Sequence, residues 1–274
     1  MNWSVLLDEA AVAALLSADD AHFAKPVCDG LAVFLQGLPE SRQAAILAQQ
    51  AAMNPTATVA ERLGSLAQHC PVLQKIGQVL ARDQRLSPEL RQQLRQLESL
   101  APTVPLSTIQ TILQQEFGSL DQLGITLTPP ALAEASVAVV VPFTKQSDPK
   151  PLQGVFKILK PGIEGILEHE LGLLESVGAH LDERCDELRI PHLDYQEAFQ
   201  QVRDKFAEEV RLEEEQRKLA AARVFYAGES RVHIPALFDC CSSRVTAMER
   251  IWGDKVTDHQ FTDQVDKYRL AELI

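Results

Sequence analysis

The sequence predicts an α+β fold that is predominantly helical, with a small antiparallel sheet in its second half. Three observations carry this. Aromatic residues make up only 5% of the 274, so cores must rest on Leu, Val, Ile and Ala, a composition that goes with many helices. Caps and three-to-four-residue apolar spacing recur as far as Gly118, marking one helix after another. Beyond Leu127 the pattern changes to strands at residues 137–143 and 154–159, then to a long helical stretch, then to two more strand-like runs.

Residues 4–53 are rich in Ala, Leu and Gln and are broken at Ala18-Asp19-Asp20 and Gly37-Leu38-Pro39. The spacing predicts three helices with short connections. They carry no chemistry and read as a packing or interaction region, 1–57. A second helical region, 58–127, opens with an amphipathic helix through Leu73, Ile76, Val79 and Leu80. The next helix has Ser87 as its cap, Pro88 in first place and Glu89 in the first turn. A third starts at Ser107 and stops at Gly118.

The third region, 128–274, begins with the two apolar runs, whose connection 144–151 is polar. Helical character follows over 163–182, and a longer helix over 194–226 repeats Tyr195, Phe199, Val202, Phe206 and Val210. Residues 232–238 and 244–248 read as strands, and a short helix is expected over 258–274.

A formal charge of −12 with no dense Lys/Arg cluster argues against nucleic-acid binding, which needs a positive face. It gives equally little support to a polybasic membrane contact. Five cysteines, an odd count without CxxC spacing, indicate neither a zinc site nor a disulfide framework and fit a reducing cytoplasm. The first residues lack a basic segment before an apolar run, so no secretory signal is expected. No apolar run approaches the roughly 18 residues of a membrane span.

The chemistry-bearing stretch is Gly154-Val155-Phe156-Lys157-Ile158-Leu159-Lys160-Pro161-Gly162. It is an apolar strand with one lysine at its middle, ended by Pro-Gly turn chemistry. Such a lysine either snorkels to water from a sheet edge or contacts phosphates, as in a kinase lobe. An acidic run, Glu208-Glu209-Val210-Arg211-Leu212-Glu213-Glu214-Glu215, follows on the long helix and by itself reads as a solvated face. His180-Leu181-Asp182 and His192-Leu193-Asp194 stand at helix ends, and no asparagine follows five residues after either aspartate, as a kinase catalytic loop requires. His169-Glu170 is followed by Leu173 where a zinc-binding helix needs its second histidine.

Four motifs in one order make the chain similar to the UbiB-type atypical kinases, a kinase-like family tied to ubiquinone biosynthesis, over residues 58–274. Lys75-Ile76-Gly77-Gln78 resembles the family's KxGQ helix. The resemblance implies that Lys75 and Gln78, which share a helix face, cover the active-site cleft. Residues 130–136 resemble the family's alanine-rich nucleotide loop, which would bring Ala133, Ala135 and Ser136 to the phosphates. Lys157 matches the phosphate-contacting lysine of the third kinase strand, with Glu215 as its partner. Glu209 and Arg211 fall on the first and last positions of the family's ExD motif, and the stretch starting Met248-Glu249 resembles the hinge whose backbone meets adenine.

The chain carries Val139 and Val141 where the family has Gln and His, Val155 where kinases favour Ala, and Arg211 where the family has Asp. A guanidinium ~5 Å from Lys75 would cost about 3 kcal/mol at an effective dielectric near 20. Lys75 is therefore either displaced or held by Glu209 alone. The resemblance implies a helical region, a KxGQ helical subdomain and a kinase-like N-lobe, a small antiparallel sheet with a long αC-type helix, with the C-lobe absent. It implies ATP and magnesium as cofactors and a nucleotide-binding role linked to quinone or lipid metabolism, without a complete catalytic set. The alternative is a non-catalytic pseudokinase that binds a protein partner, a second copy or a quinone-like lipid. Either would be cytoplasmic or peripheral to a membrane, with no transmembrane segment and no protein-held metal.

Overall fold

The computed structural model describes Trp3, residues 7–98, residues 100–253 and Tyr268. Apart from Tyr268, the helix expected over 258–274 lies outside the described residues. The chain forms two compact units that interleave along the sequence. A helical unit covers Met1–Val104, Leu132–Val139 and Leu159–Arg211, and a sheet unit covers Pro105–Ala131, Val140–Ile158 and Leu212–Ile274.

The helical unit contains α1 (Glu9–Ala13), α2 (Ala24–Gly37), α3 (Glu40–Ala52), α4 (Val59–Gln68), α5 (Pro71–Leu80) and α6 (Pro88–Gln96). The Ser87 start of α6 is the one read from the sequence, whereas α4 was not expected. Thr58 and Glu61 form a reciprocal capping box at α4, and the Ser87 hydroxyl accepts the Leu90 N–H at α6. The centre is α8 (Ile163–Glu183), which buries Ile163, Leu167, Leu171, Leu174, Val177 and Leu181 on one stripe. Against it pack α2 and α10 (Tyr195–Ala207), with the short α9 (Cys185–Leu188) between α8 and α10 in sequence. The approach of α10 is close, because a Cβ on Gly178 would lie 2.9 Å from the Gln196 Cα.

The sheet unit holds α7 (Leu106–Phe117), α11 (Leu212–Phe225) and most of the antiparallel sheet. Gly118 ends α7 at a φ of 73°, the left-handed region that favours glycine. The strands are β1 (Ile125–Leu127), β2 (Ala133–Glu134), β3 (Ala138–Lys145), β4 (Leu152–Leu159) and β5 (Val245–Glu249). They run in the order β1-β3-β4-β5, with β2 pairing to β3. Phe143 on β3 packs at a tilt against Phe156 of β4, 4.3 Å between ring centroids, and Phe238 meets Phe143 edge-on at 5.2 Å. Gly154 makes room for this cluster, since a Cβ there would sit 2.2 Å from the Phe143 ring.

Two expected elements are corrected. The long helix over 194–226 is two helices: α10 ends at Ala207, one tight turn spans Glu208–Val210, and Arg211 leaves the helical region at φ −91°, ψ 67° before α11 begins. Glu213, Glu214 and Glu215 fill the first turn of α11, where acidic side chains complement the positive helix end. Residues 232–238 are not a strand. Pro235 removes a donor, and backbone pairing of the segment with β5 is limited to the bridge Leu237–Met248 and its flanking bonds.

Candidate functional site

Side chains alternate along β4, so Phe156 and Ile158 enter the aromatic face while Val155 and Lys157 share the other. Lys157 pairs directly with Thr246 of β5, and opposite residues in an antiparallel pair lie on one face. Across this face lies α11. Its fully buried Leu212 anchors the helix, and the Gln216 amide donates to the Ser242 carbonyl at 2.9 Å, the Val245 carbonyl at 3.2 Å and the Thr246 hydroxyl at 2.9 Å. With Gln216 fixed, its neighbour Glu215 reaches Lys157, Oε2 to Nζ at 2.5 Å. The lysine side chain is 22% exposed and the glutamate 46%. An ammonium has three donors, so two remain for an incoming acceptor.

Glu249, at the end of β5, turns back on its own unit. Its carboxylate meets His233 Nε2 at 3.1 Å and accepts the Ala236 N–H at 3.2 Å. Burial opposes ionisation of this group, but the Ala236 N–H and His233 hold it below the usual carboxylate range. The Glu249 N–H donates to the Ala236 carbonyl and the Arg250 N–H to that of Gln153. The guanidinium of Arg250 lies over the Trp252 ring, 3.7 Å from its centroid.

In the helical unit, Lys75 of α5 pairs with Glu209 at 2.7 Å. Of the two outcomes open for Lys75, the structure has the one in which Glu209 holds it. Gln78 takes a different partner. With Gln74 it donates to the Leu97 carbonyl, at 2.8 and 3.0 Å, and so closes the C-terminal end of α6. Gly77 serves the same junction, because a Cβ there would stand 2.7 Å from Leu97 Cδ1. Ala133 and Ala135 are half-buried and Ser136 is buried. The Ala135 N–H donates to the Ala138 carbonyl.

Three carboxylates organise the helical unit, and for two of them, Glu170 and Glu134, the sequence suggested no such role. Glu170 is fully buried on α8. It pairs with Arg42 and accepts the Val72 N–H at 2.9 Å, so it caps the positive end of the helix that carries Lys75. Burial pushes its carboxyl up, partly offset by Val72 and Arg42. Glu134 binds Lys160 at 2.8 Å and the Thr103 and Val104 N–H groups at 2.5 and 3.2 Å. Burial opposes its charge, yet these partners bring its carboxyl below the usual range. Asp182 accepts the Tyr195 and Gln196 N–H groups at the start of α10, where Asp194 is the cap. Both aspartates of the His-Leu-Asp triplets are thus helix-end residues. A pairing 98 or 128 residues apart, as for Glu170 with Val72 and Arg42, leaves no local signal.

Four cysteine thiols, Cys28, Cys70, Cys240 and Cys241, are held in their protonated form by burial. Burial, with Glu9 and Asp29 nearby, pushes Cys28 up to about 11, and burial also raises Cys70, Cys240 and Cys241. Among the described residues no three His, Cys, Asp or Glu side chains converge on a metal-sized site, and no helix is long and apolar enough to cross a membrane.

Residues 96–274 match the ABC1 atypical kinase-like domain. A probable protein kinase UbiB of Marinobacter nauticus is 28% identical over 191 residues, 69% of this chain and 34% of the relative. Another, from Actinobacillus pleuropneumoniae serotype 7, is 30% identical over 194 residues, 69% and 35% of the two chains. An aarF domain-containing protein kinase of Arabidopsis thaliana, described as uncharacterized and chloroplastic, is 28% identical over 190 residues, 67% and 34%. The chain thus spans about a third of the length of these relatives. With a five-stranded antiparallel sheet, a lysine on β4 and its glutamate on the helix across it, the chain belongs to the ABC1 atypical kinase-like family of UbiB type.

Proposed function

We propose that the sheet unit binds ATP phosphates through Lys157, as the nucleotide-binding portion of a UbiB-like atypical kinase or ATPase in quinone or lipid metabolism. The observation that carries this reading is the 2.5 Å pair of Lys157 with Glu215. A lone lysine on a strand would sweep through many rotamers. Glu215, positioned by the clamped Gln216, restricts the ammonium and leaves two donors for phosphate oxygens. Magnesium would accompany the phosphates, held largely by their own oxygens and by water. Phosphoryl transfer depends on orienting the attacking group and neutralising charge. Lys157 supplies charge without orientation, so the 274-residue chain is expected to bind nucleotide without turning it over.

The test is titration with a fluorescent ATP analogue, beside magnesium-dependent ATP hydrolysis. Lys157→Ala should weaken binding at least ten-fold, and Glu215→Gln should weaken it less. Equal binding by Lys157→Ala and the parent chain removes the lysine from the site. Turnover lost in Lys157→Ala would instead overturn binding without catalysis.

A second reading, a non-catalytic module for a protein partner or a second copy, is favoured by the exposure of Phe225 (80%) and Trp252 (69%) in the same unit. Under it nucleotide has no effect, and Phe225→Ser or Trp252→Ser alters the chain's association state.

A further inference from the structure

We propose that the helical unit binds a single hydrocarbon chain of lipid type in a cavity between its helices. The cavity has a volume of about 420 Å³ and is walled by residues of α1, α2, α4, α5, α6, α8 and α10. Leu31, Phe34, Leu66, Ile76, Leu174 and Phe199 typify a lining in which only Tyr195 carries a polar side-chain atom. That hydroxyl is already used, donating to the Pro191 carbonyl at 3.0 Å.

Native interiors leave few voids larger than a water molecule, and an apolar cavity of ~150 Å³ already takes up benzene. This one is nearly three times larger and falls in the range of ligand pockets. Its volume and chemistry restrict the occupant. A peptide segment would bring backbone N–H and C=O groups that the lining cannot satisfy. A helix of either this chain or a partner would fill the space with about one turn, at ~5.4 Å rise and ~10 Å width. A polar ligand would lose its hydrogen bonds to water without replacement. A flexible hydrocarbon chain meets none of these objections, since it carries no polar group for the lining to satisfy. Val27 and Leu80, 41% and 39% exposed, line the cavity where it opens, so a headgroup stays in solvent while chain length decides affinity.

Acyl and prenyl chains share this chemistry, and the inference rests on the cavity alone, independent of the nucleotide reading. The experiment uses the full 274-residue chain and the fluorescent fatty acid cis-parinaric acid. Saturable binding of one probe per chain is expected. Displacement should improve as the fatty acid lengthens from octanoic to myristic acid, and farnesol, a prenyl alcohol, separates the prenyl from the acyl source. Leu31→Trp, which fills the interior, and Leu80→Trp, which narrows the mouth and sits where the fold is least constrained, should each weaken binding at least ten-fold. Lys157→Ala should bind the probe like the parent, whatever its nucleotide affinity. No saturable probe binding, affinity independent of chain length, or unchanged binding by a folded Leu80→Trp variant would overturn the proposal.

Discussion

Replacing Glu170 by alanine should destabilise the helical unit more than any exposed substitution. The carboxylate is fully buried, pairs with Arg42, and accepts the Val72 N–H in the first turn of α5. Arg42 is itself only 23% exposed and also donates to the His69 carbonyl at 2.7 Å. Removing one partner of a buried ion pair costs about 3–5 kcal/mol, because the other charge stays buried and uncompensated. Part of that cost is the orphaned Val72 N–H, about 1–3 kcal/mol. Glu170→Gln keeps an acceptor for Val72 and should cost only the charge, about 1–3 kcal/mol. The double variant Arg42→Met, Glu170→Met leaves no unpaired charge and should cost about 1–3 kcal/mol, close to the Val72 term alone. Urea unfolding measures these differences. The fluorescence of Trp3, buried in this unit, reports it in a Trp252→Phe background, which removes the other tryptophan of the two. A loss under about 1 kcal/mol for Glu170→Ala, or a double variant as costly as the sum of the singles, would refute this account of α5.

Three further outcomes are expected. Lys157→Ala should cost less than about 1 kcal/mol in thermal unfolding, because its partner is 46% exposed and such pairs contribute little to stability; a larger loss would make the pair structural. Gly178→Ala should destabilise by about 1–3 kcal/mol despite the better helix former, because the new Cβ meets the Gln196 backbone, and a rise in melting temperature would show that α10 can shift. Glu134 has a carboxyl held below its unfolded value of about 4.3, so its contribution is present above that pH and lost as pH falls through the lower folded value. Relative to Glu134→Gln, the parent should therefore be most favoured above about pH 4.3 and lose that margin in acid, in paired denaturation curves.

The helices that were legible are those whose information is local. Ser87 with Pro88, and Gly118, each act within a turn of their position. The failures share the opposite property. The period of Phe199, Val202, Phe206 and Val210 runs unbroken towards Arg211, so nothing apolar marks the end of α10; the signal is the triple glutamate that starts α11. Residues 232–238 alternate like a strand, and only Pro235 warns that the ladder cannot form. The hydrocarbon-sized cavity was invisible for a different reason. A leucine stripe fixes which face a helix buries, but the space left between seven helices depends on their spacing, which no stripe encodes.

The KxGQ stretch shows where a shared helix face misleads. Lys75 and Gln78 were expected to act together, yet Gln78 joins Gln74 on the Leu97 carbonyl while Lys75 turns to Glu209. One helix surface thus has two jobs: fastening α6 and holding an acidic turn. The departure at Arg211 fits this division. In a continuous helix, positions 209 and 211 would belong to one rigid run of 3.6-residue turns. Here the helix stops at Ala207, and a tight turn carries Glu209 to Lys75 before Arg211, an exposed residue, leaves the helical region. Breaking the helix lets the chain keep the lysine–glutamate pair with an arginine two residues away. The same break starts α11 afresh, with Glu215 in its first turn.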